Sequence, residues 1–344
     1  MSPEPTSRRA AVLGSPITHS LSPALHNAAY TALGLPGWHY DAHEVDERAL
    51  PGFVDSLGPE WAGLSLTMPL KRVALDVADH VAPAAAAIGA ANTLVFGPDG
   101  RTVHNTDVTG IVAALRRARD AGVPGPDGAV AAEADRPAAG SGAFAVEPDG
   151  PAAGSGDLAT GSGDLATGSG TGRDSSAGSR GRAVNRAVVL GAGGTAQAAI
   201  AALAELGMPE VAVLVRDAGR TTELRETARR LGTDPQIRAV LTDPLEAARA
   251  LDGADVVIST LPAGAADELA GARWRPGTTL LDAVYAPWPT AVAAGAAAGG
   301  ATIVSGLEML LQQAIAQVEL MTGRPGPEQA MREALDAAVL ARSA

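Results

Sequence analysis

Lys71, Asn92 and Asp107 are the residues of this 344-residue chain whose types and spacing point most directly to chemistry. They sit in Ser65-Leu-Thr-Met-Pro-Leu-Lys71, Ala-Ala-Asn92-Thr-Leu and His-Asn-Thr-Asp107-Val-Thr-Gly, where an ammonium, an amide and a carboxylate stand among small or apolar neighbours. A lysine and an aspartate brought together in a cleft stabilise each other's charged form while desolvation opposes it, so the pair can hold and pass a proton. That is acid/base equipment for reducing a carbonyl or oxidising an alcohol. Each residue also has an ordinary structural reading: a solvated helix lysine, a turn-forming asparagine, an aspartate capping the helix it begins. Their order, upstream of a glycine-rich loop, is what joins them.

That loop is Gly191-Ala192-Gly193-Gly194-Thr195-Ala196, placed between a predicted strand at 187–190 and a helix running to Leu206. Glycines at this spacing let the backbone turn tightly and approach a pyrophosphate, while the following helix N-terminus offers amide donors and a partial positive charge. The next strand ends Val215-Arg216-Asp217, where a site for NAD would usually place an acidic side chain on the ribose hydroxyls. Arg216 comes first, and Arg220 four residues later can join it in a fork for a 2′-phosphate, which favours NADP. Asp217 keeps NAD open.

Positioning these groups requires an alternation of strands and helices. Before the loop, strands are predicted at 10–14, 39–45, 63–67, 92–96 and 102–105, the last two flanking a hairpin turn at 97–100. Helices are predicted at 23–33, 50–57 and 107–117, with another starting at the Met68-Pro69 turn and carrying Lys71. After the loop come strands at 211–215, 255–259, 280–283 and 302–304, with helices at 222–231 and 244–251. Two terminal helices, at 307–322 and 328–341, are expected to pack back on the first domain. The fold class is therefore α/β with two domains: an α/β substrate domain (1–118 plus 306–344) and a doubly wound, Rossmann-type cofactor domain (184–305). Between them, 119–183 is a Gly-, Ser-, Ala-, Asp- and Pro-rich tract expected to be a disordered linker, with one heptapeptide repeated at 154–160 and 161–167.

Bulk composition narrows the partners. A hydrophobic fraction of 46% supports two cores, and with 3% aromatic residues the packing falls to Ala, Val and Leu. A net charge of −12 and a pI near 4.9 argue against nucleic-acid or anionic-membrane surfaces, leaving a small-molecule ligand. With no cysteine, disulfides, thiolate metal sites and cysteine nucleophiles are excluded, and no metal site is expected. The apolar run near the N-terminus stops at Pro16, too short for a signal-peptide core, and nothing is long and apolar enough to span a bilayer. A cytoplasmic location fits these features, and a homodimer is compatible with them.

Further motifs complete a pattern. Ser20-Leu-Ser22-Pro23 puts two hydroxyls before a helix, where capping by Ser22 is the plain alternative to ligand contact. With Ser65-x-Thr67-x-Pro69-x-Lys71, Gly89-Ala-x-Asn92-Thr93, Asn105-Thr-Asp107-x-x-Gly110, Tyr285-x-Pro287-x-x-Thr290 and Gly306-Leu-Glu-Met309-Leu-x-x-Gln313, the chain resembles the shikimate dehydrogenase family, with its quinate-acting relatives. The match covers nearly everything outside the linker. The resemblance implies an NADP-dependent enzyme that reversibly reduces 3-dehydroshikimate to shikimate on the route to aromatic amino acids. It implies Lys71 and Asp107 as the catalytic pair, and Ser20, Ser22, Thr67, Asn92, Tyr285 and Gln313 as further contacts to substrate. Gly191 to Ala196, Arg216, Arg220 and Met309 would serve the cofactor. Ser65 stands where the family has asparagine, Val103 where it has glycine, and Val215 and Asp217 flank Arg216 where asparagine and threonine are usual. NAD-dependent oxidation of quinate or aminoshikimate, and a catalytically silent ligand-binding relative, are the alternatives.

Overall fold

Two six-stranded sheets carry the fold. A computed structural model describes residues 7–121 and 186–343, so the expected linker beyond 121 lies outside the described residues. The first sheet is built from β1 (Arg8–Gly14), β2 (Trp38–Glu44), β3 (Trp61–Leu66), β4 (His80–Val81), β5 (Thr93–Gly97) and β6 (Gly100–His104). With them run α1 (Ser22–Ala32), α2 (Leu50–Asp55), α3 (Pro83–Ile88) and α4 (Asp107–Ala121). Strand order is β2-β1-β3-β5-β6-β4. β1 pairs in parallel with β2 and β3, whereas β5 is antiparallel to both β3 and β6. β3 is buried along its whole length, as expected of a central strand covered on both faces.

The second sheet contains β7 (Arg186–Leu190), β8 (Glu210–Leu214), β9 (Gln236–Arg238), β10 (Val256–Ser259), β11 (Thr279–Asp282) and β12 (Thr302–Ser305). Its helices are α5 (Gly194–Glu205), α6 (Thr222–Arg230), α7 (Pro244–Leu251) and α8 (Ala291–Ala298). All its pairings are parallel, in the order β12-β11-β10-β7-β8-β9. Read from β9, that is the doubly wound 3-2-1-4-5-6 order, whose ligand crevice lies at the strand C-termini where the order reverses. The reversal falls between β7 and β10, directly under the Gly191 loop.

α9 (Gly306–Thr322) and α10 (Glu328–Ser343) return to the first sheet as expected. Leu311, Ala314 and Val318 of α9 and Met331 and Leu335 of α10 share one core with Leu21, Leu25 and Ala29. A second core joins the two sheets, since Ile111 and Leu115 of α4 pack in it with Ile200 and Leu203 of α5 and Val189 and Val213 of the parallel sheet. α4 is thus held between α5 and α9. Its approach to α9 depends on Gly110, where a Cβ would lie 2.8 Å from the Met309 carbonyl and 3.0 Å from Gln313 Cβ. Gly110→Val will therefore push the helices apart and destabilise the fold by about 1–3 kcal/mol, seen as a lower denaturant midpoint.

The structure alters three expectations. α4 extends to Ala121, past the helix end expected at 117. Lys71 is not on an α-helix: its carbonyl accepts the Ala91 N–H at 2.7 Å, the Leu75 N–H bonds to Arg72, and only a 3-10 turn forms at Val73–Leu75. Asp107 opens α4 without capping it, because its carboxylate oxygens accept from Lys71 Nζ and Asn92 Nδ2; its own N–H is accepted by Asn105 Oδ1 at 3.1 Å.

Candidate active site

The ends of β3, β5 and α4 bring the three polar residues together. Lys71 Nζ lies 2.5 Å from Asp107 Oδ2. Asn92 Oδ1 accepts the Thr106 N–H at 2.7 Å, which fixes the amide's orientation because a backbone N–H can only donate. The Asn92 amino group then donates to Asp107 Oδ1 at 3.0 Å and to Gln313 Oε1 at 2.8 Å. With its oxygen so used, Gln313, which lines the cavity, has its amino group to offer as a donor. Both Asp107 oxygens accept, and its side chain is 4% exposed against 22% for Lys71, so the ammonium is the member of the pair that meets a ligand.

That ligand space is a cavity of about 230 Å³ lined by Ser20, Ser22, Thr67, Lys71, Asp107, Tyr285 and Gln313, together with His19, Ser65 and Gln317. It is smaller than the roughly 300 Å³ or more of drug-sized sites and mostly polar, the size and character for one hydroxylated ring. The N-cap of α1 is Leu21, whose side chain cannot cap it; Ser20 Oγ accepts the Ser22 N–H at 3.3 Å at the helix start, and Ser22 is the first helical residue, not the cap. Asn92 stays behind the wall, 2% exposed, and acts on the cavity through Asp107 and Gln313. Burial pushes the Tyr285 phenol above its usual range, opposed by the charge of Arg342.

Beneath the cavity lies a buried network that sequence reasoning missed. Gln317 donates from Nε2 to the Asn92 carbonyl at 3.3 Å and to Thr93 Oγ1 at 3.1 Å. Its Oε1 accepts from Ser65 Oγ at 2.8 Å and meets His26 Nε2 at 3.2 Å, so His26 carries its proton on Nε2. The Tyr40 hydroxyl donates to Ser65 Oγ at 2.6 Å, and its ring stacks on His26 with centroids 3.9 Å apart. Burial pushes the His26 imidazole down to about 3, against the opposing hydrogen bond from Gln317, and it is neutral at ordinary pH. Burial holds the Tyr40 phenol well above its usual range, so it too is neutral.

The cofactor-type residues do not line this cavity; they cluster at the C-terminal edge of the second sheet. Gly191 has φ +108°, a conformation that favours glycine, and a Cβ there would meet Thr260 Oγ1 at 2.6 Å. Gly193 and Gly194 face open space, and the N-terminus of α5 has no side-chain cap, leaving its amides available to an anion. Ala192 packs at the edge of the core shared with α4, and Met309 is buried within it. Arg216 and Arg220 are exposed. Asp217 accepts from the Gly219 N–H at 2.8 Å and caps the 3-10 turn Ala218–Arg220. These groups fit a phosphorylated dinucleotide.

The model of the shikimate dehydrogenase substrate binding domain matches residues 12–94, and that of the Shikimate 5'-dehydrogenase C-terminal domain matches residues 306–335. The shikimate dehydrogenase (NADP(+)) of Cereibacter sphaeroides is 33% identical over 336 residues, covering 95% of this chain and 96% of its own. This chain belongs to the shikimate dehydrogenase family. Among solved structures, shikimate dehydrogenase from Mycobacterium tuberculosis superposes with a TM-score of 0.71 at 37% identity, covering 96% of this chain and 99% of that one. A shikimate 5-dehydrogenase from Mycobacterium fortuitum is 40% identical, with a TM-score of 0.68 and coverage of 97% and 99%. The family likeness spans both sheets, so the parallel sheet with its glycine loop and the mixed sheet with Lys71 belong to one shikimate dehydrogenase architecture.

Proposed function

We infer that this chain catalyses the reversible, NADP-dependent reduction of 3-dehydroshikimate to shikimate, a step toward the aromatic amino acids. The observation that carries the reading is the Lys71–Asp107 pair, 2.5 Å apart in the wall of a polar cavity, with the ammonium as its exposed member. NADPH, when bound, supplies the hydride for the ketone carbon. Lys71 donates the proton to the oxygen that becomes the alcohol, and in the reverse direction takes it back. Asp107 orients and charge-balances the ammonium, while Asn92 fixes the Asp107 carboxylate and the Gln313 amide. Ser20, Ser22, Thr67, Tyr285 and Gln313 hold the carboxylate and remaining hydroxyls of the ring.

In this reading the substrate domain is 1–118 plus 306–344 and the cofactor domain 184–305. The backbone at Gly191 to Ala196 would hold the pyrophosphate, Met309 would serve the nicotinamide, and Arg216 and Arg220 would hold the 2′-phosphate. Asp217 is compatible with this choice of cofactor, because its Oδ1 accepts the Gly219 N–H within its own turn. Arg216→Ala is expected to raise the KM for NADP by about tenfold, the scale of one charge-assisted hydrogen bond, while leaving the KM for NAD unchanged. Equal changes for both cofactors would remove Arg216 from the phosphate.

The reading is tested by steady-state rates with shikimate or quinate, each with NADP or NAD. Shikimate with NADP is expected to give the highest kcat/KM. A maximum for quinate with NAD would return the alternative assignment, and no turnover with any combination would return the silent relative.

A further inference from the structure

Among the ionised groups that line the cavity, Lys71 and Asp107 neutralise each other, so they leave no net charge for an anion. The substrate inferred above is a carboxylate, and this inference rests on that reading. The chain as a whole carries −12, which opposes the approach of any anion. A cation outside the pair is therefore needed on the wall that receives the carboxylate.

Arg342, in the last turn of α10, has that position. Its Nη1 donates to the His19 carbonyl at 2.8 Å and its Nη2 to the Ser20 carbonyl at 3.0 Å. His19, Ser20, Leu21 and Ser22 all line the cavity, so the guanidinium holds the backbone of the wall that carries both serine hydroxyls. The Ser20 carbonyl shares its peptide group with the Leu21 N–H, at the start of α1, and a cation on that carbonyl polarises the N–H into a better donor. Tyr285, which also lines the cavity, feels the same positive charge. Arg342 is exposed and forms no ion pair among the described residues, so no described carboxylate competes with the wall for its charge. Simple anchoring of α10 would need no charge here, because the apolar contacts of Met331 and Leu335 already fasten that helix.

We propose that Arg342 is a positioning residue for the substrate carboxylate: through the His19 and Ser20 carbonyls it fixes the Ser20/Ser22 wall and brings a positive charge to it.

The test compares shikimate with its neutral methyl ester, as KM or as inhibition constant, in the full-length chain and its Arg342→Gln and Arg342→Lys variants at saturating NADP. Arg342→Gln is expected to raise the KM for shikimate about threefold with kcat within about twofold, the scale of one exposed charge that acts without touching the ligand. Arg342→Lys should recover most of that loss, and the ester's constant should be the same in all three proteins. Equal losses for acid and ester, or no loss for the acid, would overturn the proposal. If Arg342→Gln fails to fold, Arg342→Met, which keeps the apolar stem and removes the charge, takes its place in the same comparison of acid and ester. An unmodified chain inactive on shikimate with NADP would instead remove the functional reading itself.

Discussion

Lys71→Gln will lower kcat by about 10³-fold, within the range that positioned acid/base groups contribute, while the KM for NADP changes little. The glutamine amide can still donate to Asp107 Oδ2, which spares the buried carboxylate the cost of losing its partner, but it has no proton to give to a reacting oxygen. Loss of rate without loss of fold is therefore the signature of proton transfer through Lys71. Asp107→Asn should fall by a smaller factor, because Asp107 acts on the ammonium and not on substrate oxygen. The order of the two effects follows from exposure: 22% for the lysine side chain against 4% for the aspartate. A Lys71→Gln variant with full turnover would place the proton donor elsewhere.

The second large effect belongs to the network under the cavity. Gln317→Leu takes a partner from Ser65 Oγ, Thr93 Oγ1 and the Asn92 carbonyl, which keep Tyr40, Asn92 Oδ1 and the Leu66 N–H, and leaves His26 Nε2 unpaired; it should cost about 2–4 kcal/mol, since a buried polar group left unpaired costs on the order of 1–3 kcal/mol and each lost hydrogen bond about 1. Denaturant unfolding measures it. The same network makes a pH prediction. The His26 imidazole is depressed from 6.5 to about 3 in the folded chain, so the unfolded chain binds this proton more readily. Its contribution to stability is complete above pH 6.5 and is lost as pH falls from there toward 3, with a slope approaching about 1.4 kcal/mol per pH unit. His26→Gln keeps a neutral donor for Gln317 and should flatten the difference across that window. A variant with an unchanged acid limb would mean that His26 does not sense pH there.

How much of this was legible in the sequence depends on the distance over which a signal acts. Lys71, Asn92 and Asp107 stand in short segments with their own turn chemistry, and the Gly191 loop follows directly on a run of apolar strand residues. Local pattern was enough for these. The buried network was not visible, because Gln317 reaches Ser65 from 252 positions away and His26 from 291, and a single glutamine on an amphipathic helix gives no sign of such partners. Ser65, noted in the sequence only as a departure from asparagine, proves to be a hub: its short side chain reaches inward to Gln317 and accepts from Tyr40.

Elements failed for local reasons too. α3 and α8 are largely alanine, which has high helix propensity but leaves little contrast for a periodic pattern. The helix expected at Lys71 was lost to a tertiary contact, the Ala91 N–H bonding to the Lys71 carbonyl, that no local propensity records. At Asp217 the ambiguity was chemical, since a carboxylate beside an arginine can face a ribose or its own backbone. In the structure its Oδ1 accepts the Gly219 N–H, a contact between backbone and side chain that the sequence does not signal.

The most direct test of the central claim follows the hydride. The chain is incubated with NADP and shikimate carrying deuterium on the carbinol carbon that becomes the ketone, and the reduced cofactor is analysed by mass. Deuterium in the reduced cofactor, with 3-dehydroshikimate formed in equal amount, is the predicted result. Unlabelled reduced cofactor, or no oxidation of shikimate, would contradict the account.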